Sequence, residues 1–475
     1  MREFPALSPL AGDVVVEATA QSLAARMDRL PPSGTLWRFV VLLSLGGFFE
    51  FYELFSTAYV MPGIIRSGIL SATTTGFFGL SGTASYIGAT FAGMFLGTFA
   101  FGFVADKTGR RAVFTYALLW YCACAVIMAC QTGALGLNFW RLMTGIGLGV
   151  ELVTIDAYLS ELVPPAMRGR AFALNQVITY IAVPTVAFAA WLLVPIAPLG
   201  IDGWRWVMAL GAVGALVIWV LRRALPESPR WLAARGDMVQ ANAIIAALER
   251  QVVQDTRRAL PEPARTLTRT VTADARFREL WRKPYATRTI MLLVFHVAQA
   301  IGLYGFSHWL PTFLVHQGVT VSQSLGFTLA IAISAPLGPV LAMSFADRIE
   351  RKWQIVVAAV VVAVAGLAFA EIRHPVLVVL CGSLVTLGAT IISLNFHAYQ
   401  SELYPTRIRA MAVGFVYSVS RVSGMFSGFL IAFALAQRGV PAALVLIAGC
   451  MAVVALVIGL LGPRTRGLSL EQIND

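Results

Sequence analysis

At 475 residues, with 58% hydrophobic and 13% charged side chains and a mean hydropathy of +0.75, the chain has more apolar surface than a water-soluble fold could cover. Most of it must be solvated by lipid. The formal charge of +12 does not indicate a nucleic-acid partner, because the basic residues sit in short loops between apolar runs, with fourteen Lys/Arg against seven Asp/Glu between Arg222 and Arg288.

A membrane-crossing helix needs about 20 mostly apolar residues. The chain supplies twelve such runs, at about 37–60, 78–104, 112–131, 138–161, 170–194, 204–222, 287–310, 324–346, 354–371, 376–398, 410–434 and 441–462. This predicts an all-α membrane protein with two six-helix bundles around a central cavity. Residues 1–36 read as a polar N-terminal segment without a cleavable leader. The first bundle is expected over 37–222, a polar linker with short helices over 223–286, the second bundle over 287–462 and a tail over 463–475. Lys107, Arg110, Arg111, Arg168, Arg170, Arg348, Arg351 and Lys352 follow even-numbered spans, which places those loops and both termini in the cytoplasm. No Asn-x-Ser/Thr acceptor occurs, which favours a bacterial inner membrane. The five cysteines lie in apolar runs without metal-ligand spacing and read as buried thiols.

Ionisable groups at membrane depth cost roughly 2.5–3.5 kcal/mol each on insertion scales, so each is a functional candidate. Glu50 and Glu53 share one face of the first span. The fourth span carries Arg141, expected near the level of Glu53, then Glu151 and Asp156 closer to the cytoplasm. A carboxylate beside a guanidinium at low dielectric can take up a proton when the arginine moves away, although a purely structural ion pair fits the same residues. Arg421 lies in the middle of the eleventh span, where a guanidinium can grip a carboxylate with two hydrogen bonds or instead pair with a carboxylate of the chain. Tyr52, Tyr180, Gln299, Tyr304, Trp309, Asn395, His397 and Tyr417 are expected to line a cavity around it. His296 and His397 are further proton-carrying candidates.

Two motifs repeat. Ala105-Asp106-Lys107 with Arg110-Arg111 recurs as Ala346-Asp347-Arg348 with Arg351-Lys352, and Ser160-Glu161-Leu162 with Pro164 and Arg168 recurs as Ser401-Glu402-Leu403 with Pro405 and Arg409, both at an offset of 241 residues. One offset shared by two motifs implies a duplicated six-helix unit with a pseudo-twofold axis along the membrane normal. The offset also pairs Asp156 with His397 and Tyr180 with Arg421.

Gly102-Phe-Val-Ala-Asp106-Lys-Thr-Gly109-Arg110-Arg111 resembles the cytoplasmic signature loop of the major facilitator superfamily, and Arg141-x-x-x-Gly145-x-Gly147-x-Gly149 its fourth-helix motif. Pro226-Glu227-Ser228-Pro229-Arg230-Trp231-Leu232 and Leu403-Tyr404-Pro405-Thr406-Arg407 look like the sugar-porter and organic-ion branches. The Glu50/Glu53 pair is similar to the paired aspartates of aromatic-acid:proton symporters, with Glu at both places and Phe51 where Gly is usual. Tyr304-Gly305 and Trp309-Leu310-Pro311 look like the nicotinate-transporter branch, while one of the sugar porters' paired glutamines is missing beside Gln299.

The resemblance implies a monomeric proton-coupled symporter of a small organic anion, an aromatic or heteroaromatic carboxylate such as nicotinate or hydroxybenzoate, with no cofactor. In that reading Glu50, Glu53, Arg141, Glu151 and Asp156 couple protons. Asp106, Arg110, Arg111, Glu161 and Arg168, with Asp347, Arg351, Glu402 and Arg409 in the repeat, would form gating ion pairs that hold an outward-open state. Organic-cation transport at Glu50, Glu53, Glu151 and Asp156 is the alternative, and a sugar porter a lesser one. A membrane enzyme or sensor is disfavoured, since no nucleotide loop, metal cluster or nucleophile constellation is found.

Overall fold

The computed structural model describes residues 23–71, 73–74, 79–80, 82–101, 107–221, 225–263, 277–345 and 349–465, and no strand occurs among them. The first half contains α1 (Gly34–Arg66), α2 (Gly82–Phe101), α3 (Arg110–Ala129), α4 (Ala134–Leu162), α5 (Pro165–Leu193) and α6 (Gly203–Leu221). Two linker helices follow, α7 (Pro229–Ala234) and α8 (Met238–Thr256). The second half contains α9 (Tyr285–Ser307), α10 (Leu310–His316), α11 (Val321–Ala332), α12 (Leu337–Phe345), α13 (Arg351–Glu371), α14 (Pro375–Glu402) and α15 (Thr406–Leu461).

Nine described helices are long and apolar enough to cross a membrane. Together with α2, α6 and the division of α15, they are consistent with twelve passages. Large apolar side chains such as Phe99, Tyr116, Phe188, Val364 and Phe433 are exposed, as a lipid-facing surface requires.

Prolines, which remove a backbone donor, mark three points of the second half. The seventh expected span corresponds to α9, and the short α10 follows it with Pro311 in its first turn. The eighth divides at the turn before Pro336. The last two expected spans lie within α15 on either side of a kink at Arg438–Gly439, where Gly439 takes a φ of 72° and Pro441 follows.

The glycines of α4 explain how Arg141 is held in place. A Cβ on Gly145 would lie 2.5 Å from the Thr90 carbonyl oxygen, and one on Gly149 2.2 Å from that of Met94. From the other side, a Cβ on Gly93 would lie 2.2 Å from the Leu142 oxygen, and one on Gly97 2.1 Å from that of Ile146. The α2 and α4 backbones therefore cross too closely for any side chain, which is how small residues drive helix contact where lipid leaves no hydrophobic force.

A second core lies outside the main bundle. Leu232, Ile245, Leu248 and Val252 of the linker helices pack with Leu23, Met27, Phe39, Tyr158 and Leu162 at one end of the first half. Asp255 accepts from the Thr35 amide at 2.7 Å, at the N-terminus of α1. Glu249 accepts from Arg26 and Arg29, each at 2.6 Å. Burial works to raise the Glu249 pKa, but the hydrogen bonds from the two arginines outweigh it and hold the carboxyl below its usual range.

The halves touch toward the end remote from the linker. There Phe91 lies against Gly424, Ile87 against Gly428, Trp191 against Gly326 and Phe55 against the His308 ring.

Candidate functional site

Between the halves lies a cavity with about 810 Å³ of atom-free space, part of it open to solvent. Glu50, Phe51 and Phe55 of α1, Asp156 of α4, and Asn175, Gln176, Thr179 and Tyr180 of α5 form the first half's wall. Gln299 and Tyr304 of α9, Ser393, Phe396 and His397 of α14, and Tyr417 and Arg421 of α15 form the other. Both repeat-related pairs, Asp156 with His397 and Tyr180 with Arg421, thus line one space.

Arg421 is 1% exposed. It donates to the Tyr304 hydroxyl at 3.2 Å and the Tyr417 hydroxyl at 2.8 Å, and its guanidinium carbon lies 4.8 Å from the Tyr417 ring centre. Its Nε has no hydrogen-bond partner, and no carboxylate forms an ion pair with it among the described residues. Aromatic rings continue from this point: His397 lies 4.1 Å from Phe396 and 5.4 Å from Tyr417, centre to centre.

Behind the opposite wall lies a second buried arginine. Arg141 Nη1 donates to Glu53 Oε1 at 2.6 Å, Nη2 to the Glu53 carbonyl at 3.0 Å and to the Thr57 hydroxyl, and Nε to the Thr90 hydroxyl at 2.8 Å. The Tyr86 ring lies 5.0 Å from its guanidinium carbon. This is a closed ion pair whose donors are met by α1 and α2.

Several expected positions stand elsewhere. Tyr52 does not line the cavity; its hydroxyl donates to the Val207 carbonyl at 2.9 Å within the first half. Asn395 points its amide to the Ile391 carbonyl of its own helix, at 3.0 Å, and Trp309 stacks on Phe313. Glu151 is fully buried and is not among the lining residues. Asp106 and Asp347 lie outside the described residues.

Two ion pairs among the gating charges lie inside one half each. Arg110 meets Glu161 at 3.2 Å, and Arg351 meets Glu402 at 3.4 Å. Arg168 donates to the Ser160 carbonyl and Arg409 to that of Tyr404. Glu227 has a place that its motif alone does not reveal. Its Oε1 accepts from the Arg110 and Arg111 amides at 3.1 and 3.2 Å, so it caps the N-terminus of α3 from the start of the linker. The Arg111 side chain is exposed. Thr57, Thr90 and Asn175 are also functional candidates that the sequence did not single out.

An all-helical, lipid-facing chain with a polar cavity between two halves defines a membrane carrier. Residues 39–475 match the family described as sugar (and other) transporter, and the chain belongs to that family, within the major facilitator superfamily. Its members are transporters and not enzymes. Among curated proteins it is 30% identical to "Putative metabolite transport protein YyaJ" of Bacillus subtilis (strain 168), over 93% of this chain and 95% of that one. It is 26% identical to the niacin transporter NiaP of Acinetobacter baylyi, over 95% and 99%, and 22% identical to a benzoate transport protein of the same organism, over 83% and 82%. In fold it is similar to the partially occluded inward-open xylose transporter XylE of E. coli, with a TM-score of 0.71 at 19% identity, covering 91% of this chain and 99% of the other.

Proposed function

We propose that this metabolite transporter is a proton-coupled symporter that imports a small organic anion, an aromatic or heteroaromatic carboxylate, across a bacterial inner membrane with both termini in the cytoplasm. The observation that carries the reading is Arg421: buried, facing the cavity, with one guanidinium edge unused and no carboxylate within ion-pair distance among the described residues, the charge of Glu50 in the same cavity acting on it from further off. A carboxylate ligand would supply the missing charge through Nε and an Nη, the side-on geometry in which charge-assisted pairs are strongest. Phe396, His397 and Tyr417 offer ring faces beside it. Two relatives are named for niacin and benzoate transport, which agrees with an aromatic acid.

Coupling is assigned to Glu53. A proton on Glu53 would cancel the charge of its pair and release Arg141, so the cost of burying either group changes with protonation. The two halves then rock around the cavity, with the Arg110–Glu161 and Arg351–Glu402 pairs bracing each half at its ends. Asp156, exposed to the cavity, favours the second reading, in which an organic cation is carried and Arg421 is structural.

Reconstituted vesicles with an inward proton gradient separate the two. Nicotinate and benzoate should accumulate and a quaternary ammonium should not. Accumulation of the ammonium alone would put the cation reading first.

A further inference from the structure

The duplication puts the same two positions on both walls of the cavity, and the chain has made them opposite. On the second half they are His397 and Arg421; on the first they are Asp156 and Tyr180. Asp156 is exposed to the cavity and forms no hydrogen bond or ion pair with a described residue. One helix away, Asn175 Oδ1 is buried on the same wall without a partner, and the residue is 4% exposed. The Thr179 hydroxyl, four residues further along α5, is likewise buried and unpartnered. The first half's wall therefore presents acceptors in want of donors, whereas Arg421 presents a donor edge in want of an acceptor.

Resting on the carboxylate reading of Arg421, we propose that the substrate is bipolar: its acid binds Arg421, and a hydrogen-bond donor on its far side, a hydroxyl or a protonated amine, binds Asp156 and Asn175. A ligand held this way touches both rocking halves at once. An unpaired buried acceptor is costly, so a ligand lacking the donor pays for both sites it leaves empty. Asp156 becomes a specificity-determining residue in this account.

The test is a binding titration of the purified full-length protein with benzoate, 3-hydroxybenzoate, 3-methoxybenzoate and 3-(aminomethyl)benzoate. Wild type should bind the hydroxy and aminomethyl acids about tenfold more tightly than benzoate, and the methoxy acid no more tightly, since it has size without a donor. Asp156→Ala should reduce both preferences to within about twofold. Asp156→Asn, the more conservative variant for folding, keeps an acceptor but loses the charge, so it should retain the hydroxyl preference and lose the aminomethyl one. Equal affinity of wild type for benzoate and both donor-bearing acids overturns the bipolar site and leaves the anion reading standing. Failure to bind any of the four acids overturns both.

Discussion

The two arginines buried among the described residues sit on opposite halves and are built differently. Arg141 is matched within the chain: Glu53 neutralises it, Thr57, Thr90 and a backbone carbonyl take its remaining donors, and a glycine crossing clamps its helix against α2. Arg421 has the same kind of aromatic neighbour, a tyrosine ring, but only two phenolic acceptors, and it faces open space. Among the described residues no carboxylate comes within ion-pair distance of Arg421, although the Glu50 charge in the same cavity acts on it, so a ligand carboxylate would add the direct pair that offsets its burial. In the proposed reading the first site holds or loses a proton and the second an anion. Coupling in that reading requires that occupancy of each site biases the same movement of the two halves.

The largest effect expected from breaking this contrast is in Arg141→Ala. It leaves the Glu53 carboxylate buried and unpaired, which costs roughly 3–5 kcal/mol, and the purified variant should unfold well below wild type on heating. Thermal stability equal to wild type would mean the pair is not a charged one. Glu53→Gln keeps the shape and removes the titratable group. It should abolish accumulation driven by a pH gradient while substrate exchange at equilibrium persists; normal accumulation would move coupling to Glu50 or a histidine.

Smaller effects are expected at the ends of the halves. Arg110→Ala removes one ion pair with Glu161 but keeps the backbone amide that Glu227 accepts. It should lower the transport rate a few-fold while ligand affinity stays within about twofold, as for a brace near the surface. Unchanged uptake would reduce the loop to a topology signal.

The smallest effect is at the linker. The Glu249 carboxyl is held below its usual range in the folded protein, so its contribution to docking α8 is present above the unfolded value of about 4.3 and is lost as pH falls through the lower folded one. Hydrogen exchange along α8 should therefore quicken below pH 4 in wild type, by less than about 1 kcal/mol of protection. The Glu249→Gln variant should lack that pH-dependent component. An identical acid profile in the variant would assign it to other carboxylates.

Helix type, the duplication and the charged positions were legible in the sequence because each leaves a strong local signal. A 20-residue apolar run, a shared offset and an arginine in mid-span need no tertiary information. What was not legible is rotation about each helix axis. Tyr52 and Glu50 are two residues apart on α1, yet Glu50 lines the cavity while Tyr52 turns toward α6. Asn395 and His397 divide in the same way on α14, with His397 lining the cavity and Asn395 bonding its own backbone. Hydropathy gives depth along a helix but not which neighbour a face meets. Thr57 and Thr90 escaped notice for a different reason: threonines in apolar helices usually satisfy their own backbone, and only the arrival of Arg141 from another helix gives these two a role. Glu227 belongs to a motif visible in the sequence, but its partner amides lie more than a hundred residues away. The proline break at Pro336 was in plain view and still read as part of the continuous span 324–346, because length and hydropathy alone do not register a lost backbone donor.

The central claim is that Arg421 awaits an external carboxylate, and the most direct measurement is the affinity of an acid and its amide for wild type, Arg421→Lys and Arg421→Ala. Benzoate and benzamide are suitable probes. A charged hydrogen-bonded pair contributes roughly 1.5–3 kcal/mol, so benzoate should bind Arg421→Ala about ten- to a hundredfold more weakly than wild type. The lysine variant should fall between them, with its charge kept and its fork lost. The amide should lose little in either variant. If benzoate binds Arg421→Ala as tightly as wild type, Arg421 is a structural cation, and Glu50 and Asp156 become the residues that choose the cargo.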